Sequence, residues 1–158
     1  MNHAVDTAGE LLSRWVTFKL DSETYGIDVM QIREVLRCPV ISPVPGAPPF
    51  VLGIINLRGS VVAIIDTRSR FNLPRAEVDD SSRIIILDTG GYVVGFLVDN
   101  VSEVAELHHD RVDMAPDTGR GSASRFISGL YKRKEGLLIM IDASRLLTDD
   151  ELAELAII

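Results

Sequence analysis

The sequence predicts an all-β protein built from two small barrels of about five short strands each. Apolar and β-branched residues recur in short runs with a period of two, which is the pattern of strands with one buried face. Helical segments are too few to supply the crossovers that a parallel α/β sheet needs. A tandem duplication divides the strands into two similar sets, and sets of this size close best as barrels.

The β pattern of the first half begins at Arg14, and we expect residues 1–13 to form a tail or a short helix. RWVTFKL predicts a strand, DSET a turn, and YGIDVMQIREVL a long strand bent at a bulge. Five of the seven prolines stand in CPVISPVPGAPPF, which predicts an extended connector because proline cannot serve a central strand. VLGIINLRGSVVAIID then predicts two strands. TRSRFNLP predicts a short helix that Asp66 caps and Pro74 ends.

The second half repeats this plan. RIIILD and YVVGFLVDNVSEVAEL predict strands joined by a hairpin turn at Gly90-Gly91, a two-residue sequence that is typical of such turns. A polar stretch from His108 to Arg125 follows, and FISGLYKRKEGLLIMID predicts two more strands. The chain ends in a predicted helix over residues 142–155, with apolar positions at Leu146, Leu147, Leu152 and Leu155.

The duplication is visible from identical residues at two fixed offsets. An offset of 69 aligns Arg14 with Arg83, Gly26 with Gly95, Val29 with Val98, Glu34 with Glu103 and Val35 with Val104. An offset of 76 aligns Phe50 with Phe126, Gly53 with Gly129, Ile65 with Ile141 and Asp66 with Asp142. The difference, 76 − 69 = 7 residues, matches the extra segment Thr118 to Ser124. We therefore expect one domain over residues 14–155, made of two intertwined barrels at about 14–80 and 81–147.

Composition limits the possible functions. A hydrophobic fraction of 46% is enough for a sizeable core, and a net charge of −7 argues against nucleic-acid and anionic-membrane partners. The single cysteine, Cys38, cannot form an internal disulfide and fits a reducing compartment. The N-terminus has no signal-peptide pattern, and the apolar runs are shorter than the roughly 18–20 residues that span a bilayer. We expect a cytoplasmic protein without membrane insertion.

Enzyme signatures are missing from the sequence. No GxxxxGK[ST], GxSxG or HExxH pattern occurs. His108, His109 and Asp110 offer two imidazoles and a carboxylate, but adjacent residues on an extended chain point apart, which favours a solvated loop over a metal site. The duplicated Asp66 and Asp142 are explained better as helix caps than as a catalytic carboxylate pair. We expect no catalytic residues, no metal and no cofactor.

Arg58 is the unusual residue of the first half, because it stands between two apolar runs in IINLRGSVV. One interpretation places Arg58-Gly59 in a hairpin turn, with Gly59 at positive φ and the guanidinium in water. The other places Arg58 at a strand edge that borders an apolar groove, where Glu34 or another carboxylate holds it. Arginine on the rim of an apolar patch is a typical interface anchor. The sequence alone favours neither interpretation.

Three segments together resemble the CheW family, the adaptors of bacterial chemosensory arrays. They are TFKLDSETYGIDVMQIREVL, PVPGAPPFVLGIINLRGSVVAIIDTRSRF and VVGFLVDNVSEVAEL, and the resemblance runs from about Trp15 to Leu155. It implies a fold of two five-stranded, SH3-like barrels packed together. It also implies a scaffolding role that joins the histidine kinase CheA to the cytoplasmic tip of membrane-bound chemoreceptors in an array.

The resemblance further implies a receptor-binding groove between the barrels. Its residues would be Ile32, Glu34, Gly53, Asn56, Arg58, Gly59 and Val104. Gly26 and Gly95 would instead hold strand geometry. The resemblance assigns no residues to the kinase contact, and the segment FISGLYKRKEG is more basic here than the usual loop of the family.

Other functions stay open as alternatives. The same adaptors serve related chemosensory systems that control pili-based motility or biofilm formation. An enzyme would have to use His108, His109 and Asp110. A nucleic-acid-binding barrel would need exposed aromatic and basic residues, whereas aromatic residues make up only 6% of this acidic chain. A stand-alone barrel that binds another partner is the remaining alternative.

Overall fold

The structure, a computed structural model, describes residues 3–5, 11–89, 91–114 and 125–156. These ranges contain twelve strands and two short α-helices. The strands are β1 (His3–Val5), β2 (Leu11–Leu20), β3 (Glu23–Asp28), β4 (Ile32–Arg37), β5 (Val51–Leu57), β6 (Ser60–Ile65), β7 (Arg83–Thr89), β8 (Tyr92–Val98), β9 (Asn100–His108), β10 (Val112–Met114), β11 (Ile127–Arg133) and β12 (Gly136–Ile141). The helices are α1 (Thr67–Arg70) and α2 (Asp149–Leu155).

The strands form two sheets, which confirms the predicted all-β class. The long strands of the first sheet run in the order β9-β2-β3-β12-β11, with β1 and β10 as short additions. The second sheet has the order β4-β7-β8-β6-β5. β3 pairs with β12 and β6 with β8 in parallel, and the other neighbouring strands are antiparallel.

The duplication in the sequence matches the structure strand for strand. β2, β3 and β4 correspond to β7, β8 and β9 at the offset of 69, and β5 and β6 correspond to β11 and β12 at the offset of 76. Replacing each strand of the first sheet by its counterpart produces the order of the second sheet. The two halves are therefore copies of one structural unit.

Neither barrel coincides with one half of the chain, because each half divides its strands between both sheets. The hairpin of β2 and β3 belongs to residues 14–80 but joins the sheet that holds β9, β11 and β12. The hairpin of β7 and β8 belongs to residues 81–147 but joins the sheet of β4, β5 and β6. The boundary near residue 80 thus separates the sequence repeats and not the barrels, which exchange a hairpin.

A shared apolar core holds side chains from both halves. Phe18 and Ile27 of the first hairpin and Ile85 and Phe96 of the second are buried in it. The C-terminal segment closes the same core with the four apolar residues predicted for it, Leu146, Leu147, Leu152 and Leu155. Each barrel has a smaller core of its own.

The N-terminal prediction is wrong in part. Residues 1–13 were expected to be a tail or a short helix, but β1 pairs with Leu11–Ser13 and β2 already begins at Leu11. Leu12 and Ser13 are buried, and the indole Nε1 of Trp15 donates a hydrogen bond of 2.8 Å to Ser13 Oγ. Because these residues are buried, β2 begins three residues before Arg14, where the predicted strand began.

Two predicted elements are each divided by a polar cap. YGIDVMQIREVL forms β3 and β4, separated by a 3₁₀ turn at Val29–Gln31, because the Asp28 carboxylate accepts a hydrogen bond of 3.0 Å from Met30 N. The helix expected over residues 142–155 is a 3₁₀ turn at Ala143–Arg145 followed by α2.

A reciprocal cap explains why α2 begins so late. Glu151 N donates to Thr148 Oγ1 at 3.1 Å, and Thr148 N donates to Glu151 Oε1 at 2.8 Å. This capping box starts a new helix at residue 149.

The predicted caps and turns are confirmed where the structure describes them. Asp66 accepts a hydrogen bond from Ser69 N at 3.2 Å, and Asp142 accepts one from Ser144 N at 3.0 Å. β7 and β8 form a hairpin in which Gly91 has φ 88°, whereas Gly90 and the segment Thr118 to Ser124 lie outside the described residues. Among the described residues, no helix has the length and apolar character needed to cross a membrane.

Asp99 joins three elements of the two halves. Its carboxylate accepts hydrogen bonds from Arg68 Nη2 at 2.6 Å, Arg68 Nε at 3.0 Å and Asp21 N at 2.7 Å. Burial acts to raise the pKa of Asp99, but the hydrogen bonds from Arg68 and Asp21 outweigh it, so the pKa of this carboxyl lies below its usual value. The charged form of Asp99 therefore stabilises the folded state.

We predict that Asp99→Asn destabilises the protein in a pH-dependent way. The folded-state pKa is below the unfolded one, so the stabilisation is present above about pH 4 and decreases as the pH falls further. At pH 7 the variant should lose about 1 kcal/mol in free energy of unfolding by urea titration. Asp113→Asn, which removes an exposed carboxylate from β10, should change little. An equal loss for Asp99→Asn at pH 7 and pH 3 would contradict the prediction.

Two glycines at equivalent positions should respond differently to alanine. A Cβ on Gly95 would lie 2.6 Å from Ile64 Cδ1 and 2.8 Å from Ile84 Cγ2, both buried, whereas a Cβ on Gly26 would lie 3.4 Å from Leu138 Cδ1. We predict that Gly95→Ala costs about 1–3 kcal/mol by overpacking. Gly26→Ala should cost less than about 1 kcal/mol, and chemical denaturation of the two variants measures the difference. Equal costs would refute this account.

Candidate functional site

An ion pair links β4, one edge strand of the second sheet, to the β5–β6 hairpin at its other edge. Arg58 Nη1 donates a hydrogen bond of 3.3 Å to Glu34 Oε1, and Arg58 Nη2 pairs with Glu34 Oε2. The arginine side chain is 70% exposed and the glutamate side chain 29% exposed. The hydrogen bond and charge of Glu34 raise the pKa of Arg58 above its usual value. The guanidinium is therefore held in place while it faces solvent.

The hairpin turn combines the two interpretations of Arg58 that the sequence left open. Arg58 and Gly59 have φ angles of 51° and 87°, the left-handed conformations of a two-residue turn that favours glycine. The side chain of Asn56 stabilises this turn, because its Oδ1 accepts a hydrogen bond of 2.8 Å from Gly59 N. Arg58 is thus a turn residue exposed to water and also the partner of Glu34.

Gly53 lies beneath this surface. It is buried, and a Cβ at this position would lie 2.3 Å from the carbonyl oxygen of Ser42 in the proline-rich connector. Its neighbour Ile54 exchanges two backbone hydrogen bonds with Ser42, at 2.8 and 2.9 Å. Gly53 therefore allows the connector to pack on β5, close to the hairpin that carries Arg58.

The remaining two predicted residues lie apart from the ion pair. Ile32, at the start of β4, is half-buried and packs on the shared core. Val104 lies on β9 in the other sheet, where it opposes Val16 and is 56% exposed. The structure thus brings Glu34, Asn56, Arg58 and Gly59 together, and it places Ile32 and Val104 at separate points.

The structure adds residues that the sequence reasoning did not single out. An open cavity of about 510 Å³ lies beside the ion pair, and its lining includes Arg33, Glu34, Arg58 and Val61. Val61 is 65% exposed and Val35, on the outer face of β4, is 38% exposed. The sequence IREVLR could have predicted the exposure of Val35, because alternation along a strand leaves every second residue of β4 on the surface.

The second half has its own version of the ion pair. Arg133 Nη1 donates a hydrogen bond of 2.9 Å to Glu103 Oε1, and Glu103 is the counterpart of Glu34. The exposures are reversed, because the Arg133 side chain is 13% exposed and that of Glu103 is 53% exposed. The equivalent place on the second half therefore turns a carboxylate toward solvent and buries the guanidinium.

The residues that an enzyme would have to use lie at the end of β9 and in the turn after it. No group of three or more His, Cys, Asp or Glu side chains among them could hold a metal ion. His108 ends β9, and His109 and Asp110 stand in the 3₁₀ turn that follows. Burial raises the pKa of the Cys38 thiol, whereas reactive thiols have lowered pKa values. An exposed ion pair bordered by the exposed Val61 is suited to binding another protein.

Comparison with known proteins agrees with this picture. The family model for the CheW-like domain matches residues 14–151. The chain is 34% identical over 147 residues to the chemotaxis protein CheW of Klebsiella aerogenes, covering 92% of this chain and 89% of the relative. It is 33% identical over 144 residues to CheW of Bacillus subtilis, covering 91% and 92%. The chain belongs to the CheW family.

A solved structure of the CheW family has the same fold. The scaffolding protein TtCheW from Thermoanaerobacter tengcongensis superposes with a TM-score of 0.79 and 31% identity, covering 88% of this chain and 94% of that one. The two barrels are accordingly the SH3-like barrels that the resemblance implied. The relatives are named as chemotaxis proteins and the solved structure as a scaffolding protein.

Proposed function

We propose that this chain is a non-enzymatic adaptor that couples methyl-accepting chemoreceptors to a CheA-type histidine kinase in a bacterial chemosensory array. The observation that carries the proposal is the exposed Arg58, held by Glu34 beside an open cavity that the exposed Val61 lines. Membership of the CheW family supports the choice of partners. On this proposal the protein works in the cytoplasm, at the receptor array.

The receptor partner would be the helical tip of the chemoreceptor. An amphipathic helix binds a surface through apolar side chains at i, i+3 or i+4, and i+7. Val61 beside Arg58 and Val35 on the outer face of β4 offer exposed apolar contacts. Arg58 would fix the register of the helix by pairing with a carboxylate or a carbonyl oxygen. Glu34 would hold Arg58 in place, and Asn56 and Gly59 would hold the turn.

Ile32, Gly53 and Val104 have different parts in this proposal. Ile32 and Gly53 would support the surface from below, since the first packs on the core and the second admits the connector. Val104 would add an apolar contact from β9. The regulatory domain of the kinase would bind another barrel surface. Signal transfer would then be a biased arrangement of the docked domains, without chemistry by this protein.

We predict that Arg58→Glu abolishes coupling without unfolding the protein. The substitution places a second carboxylate beside Glu34 and removes the cation that the receptor helix would meet. Kinase activation in a reconstituted mixture of receptor membranes, CheA and this protein should fall about tenfold or more. The melting temperature should change little, because the ion pair is exposed.

Lys134→Glu is the matched control. Lys134 is the exposed counterpart of Arg58 at the offset of 76, in the β11–β12 turn. This variant has the same charge change on the same fold and should retain coupling. Normal coupling by Arg58→Glu, or an equal loss with Lys134→Glu, would refute the proposed role of Arg58.

A further inference from the structure

Two arginines oppose each other where β4 meets β7. Arg37, the last residue of β4, is the direct cross-strand partner of Arg83, the first residue of β7. Arg37 is exposed and has no ion pair within the described part of the chain, and Arg83 Nη1 donates to the carbonyl oxygens of Asp80 and Ser82 at 2.8 Å. Like charges directly across a sheet are destabilising. The pair therefore opposes folding at this point.

The other half shows that the fold does not require this repulsion. At the offset of 69, Arg83 corresponds to Arg14 and Arg37 corresponds to Glu106. Arg14 and Glu106 are again direct cross-strand partners, between β2 and β9, but their charges are opposite. One half thus has a favourable pair at the position where the other half has two cations.

Arg37 lies on the same face of β4 as Val35, one of the proposed receptor contacts. Exposed residues alternate along β4 at Arg33, Val35 and Arg37. Arg33 has a carboxylate within reach, because its Nε lies 3.7 Å from Asp88 Oδ2, and Arg58 has Glu34. On a chain with a net charge of −7, the outer end of β4 is a local excess of positive charge beside an exposed valine.

We propose that Arg37, with Arg83 behind it, binds a carboxylate side chain of the helix that docks on β4. This inference rests on the proposed function and specifies the chemistry of the partner helix. A guanidinium and a carboxylate form strong, charge-assisted hydrogen bonds. A bound carboxylate would also reduce the repulsion between the two arginines. Part of the binding free energy would therefore come from removing an unfavourable interaction of the free protein.

The alternation of β4 adds a geometric requirement. Val35 and Arg37 lie on one face of the strand, about 7 Å apart along it, whereas Glu34 points to the other face. Four residues of an α-helix rise about 6 Å. The docked helix should therefore carry an acidic residue about four positions from the apolar residue that meets Val35.

Arg37→Glu tests the inference, because it gives this half the pairing that Glu106 and Arg14 have in the other. We expect the melting temperature to rise by about 1–3 °C. Binding of a soluble chemoreceptor signalling fragment, followed by fluorescence anisotropy, should weaken about tenfold. Arg37→Gln, which removes the charge without reversing it, should weaken binding less and make it less sensitive to salt.

The outcomes separate this inference from the proposed function. Glu106→Arg, which creates two opposed arginines on the other half, should lower the melting temperature and so confirm the cost of the repulsion. If Arg58→Glu abolishes binding but Arg37→Glu binds like the wild type, the role of Arg37 is refuted and the proposed function stands. If the wild type binds no receptor fragment, both fail. A fall in melting temperature with Arg37→Glu would refute the repulsion between Arg37 and Arg83.

Discussion

One constraint fixes the position of every surface in this protein, namely that neither barrel is complete without strands from both halves of the chain. β3 reaches across to β12 and β8 reaches across to β6, each in a parallel pair. The core between the barrels holds Phe18 and Ile27 from one hairpin and Ile85 and Phe96 from the other. Separating the barrels would expose this core, so the two barrels behave as one body. The β4 and β9 surfaces therefore stand at a fixed geometry, which the proposed adaptor role requires.

The two halves secure this frame with different chemistry at equivalent points. In one half the side chain of Gln31 donates to Asp142 Oδ1 and accepts from Ala143 N, each at 3.0 Å. In the other, Asp99 forms an ion pair with Arg68. Each contact links the turn after one exchanged hairpin to the capped turn after a strand of the other half. Gln31 follows β3 and contacts the turn after β12, whereas Asp99 follows β8 and contacts α1, which comes after β6. The first link pairs a neutral amide with the Asp142 carboxylate, and the second pairs two charged groups. Burial acts to raise the pKa of both carboxyls, but their hydrogen bonds hold each pKa below its usual value, so acid weakens both links.

Local features of the fold could be predicted from the sequence, and its long-range pairings could not. Alternating apolar residues predicted the strands, and the caps at Asp66 and Asp142 followed from their place after β runs. The exchange of hairpins could not be predicted from the sequence. A strand that pairs within its own half and one that pairs with the other half show the same alternation of apolar and polar residues. Gly53 illustrates the same limit, since its contact with Ser42 comes from how the connector folds back. Arg58 was ambiguous because the turn and the ion pair were considered as alternatives, whereas the structure shows Arg58 in the turn and paired with Glu34.

The duplication also shows how one scaffold supplies two kinds of surface. The Arg133 side chain is only 13% exposed, and its buried Nε has no hydrogen-bond partner among the described residues. Its pairing with Glu103 therefore links β11 to β9 at the expense of a desolvated donor. Arg58 does the opposite, because Glu34 supports it while its guanidinium stays in water. Exposed ion pairs contribute little to stability, so a residue such as Arg58 can change with its partner while the core stays intact. One ion pair is thus part of the barrel wall, and the other has its guanidinium on the surface, where a docking partner can reach it.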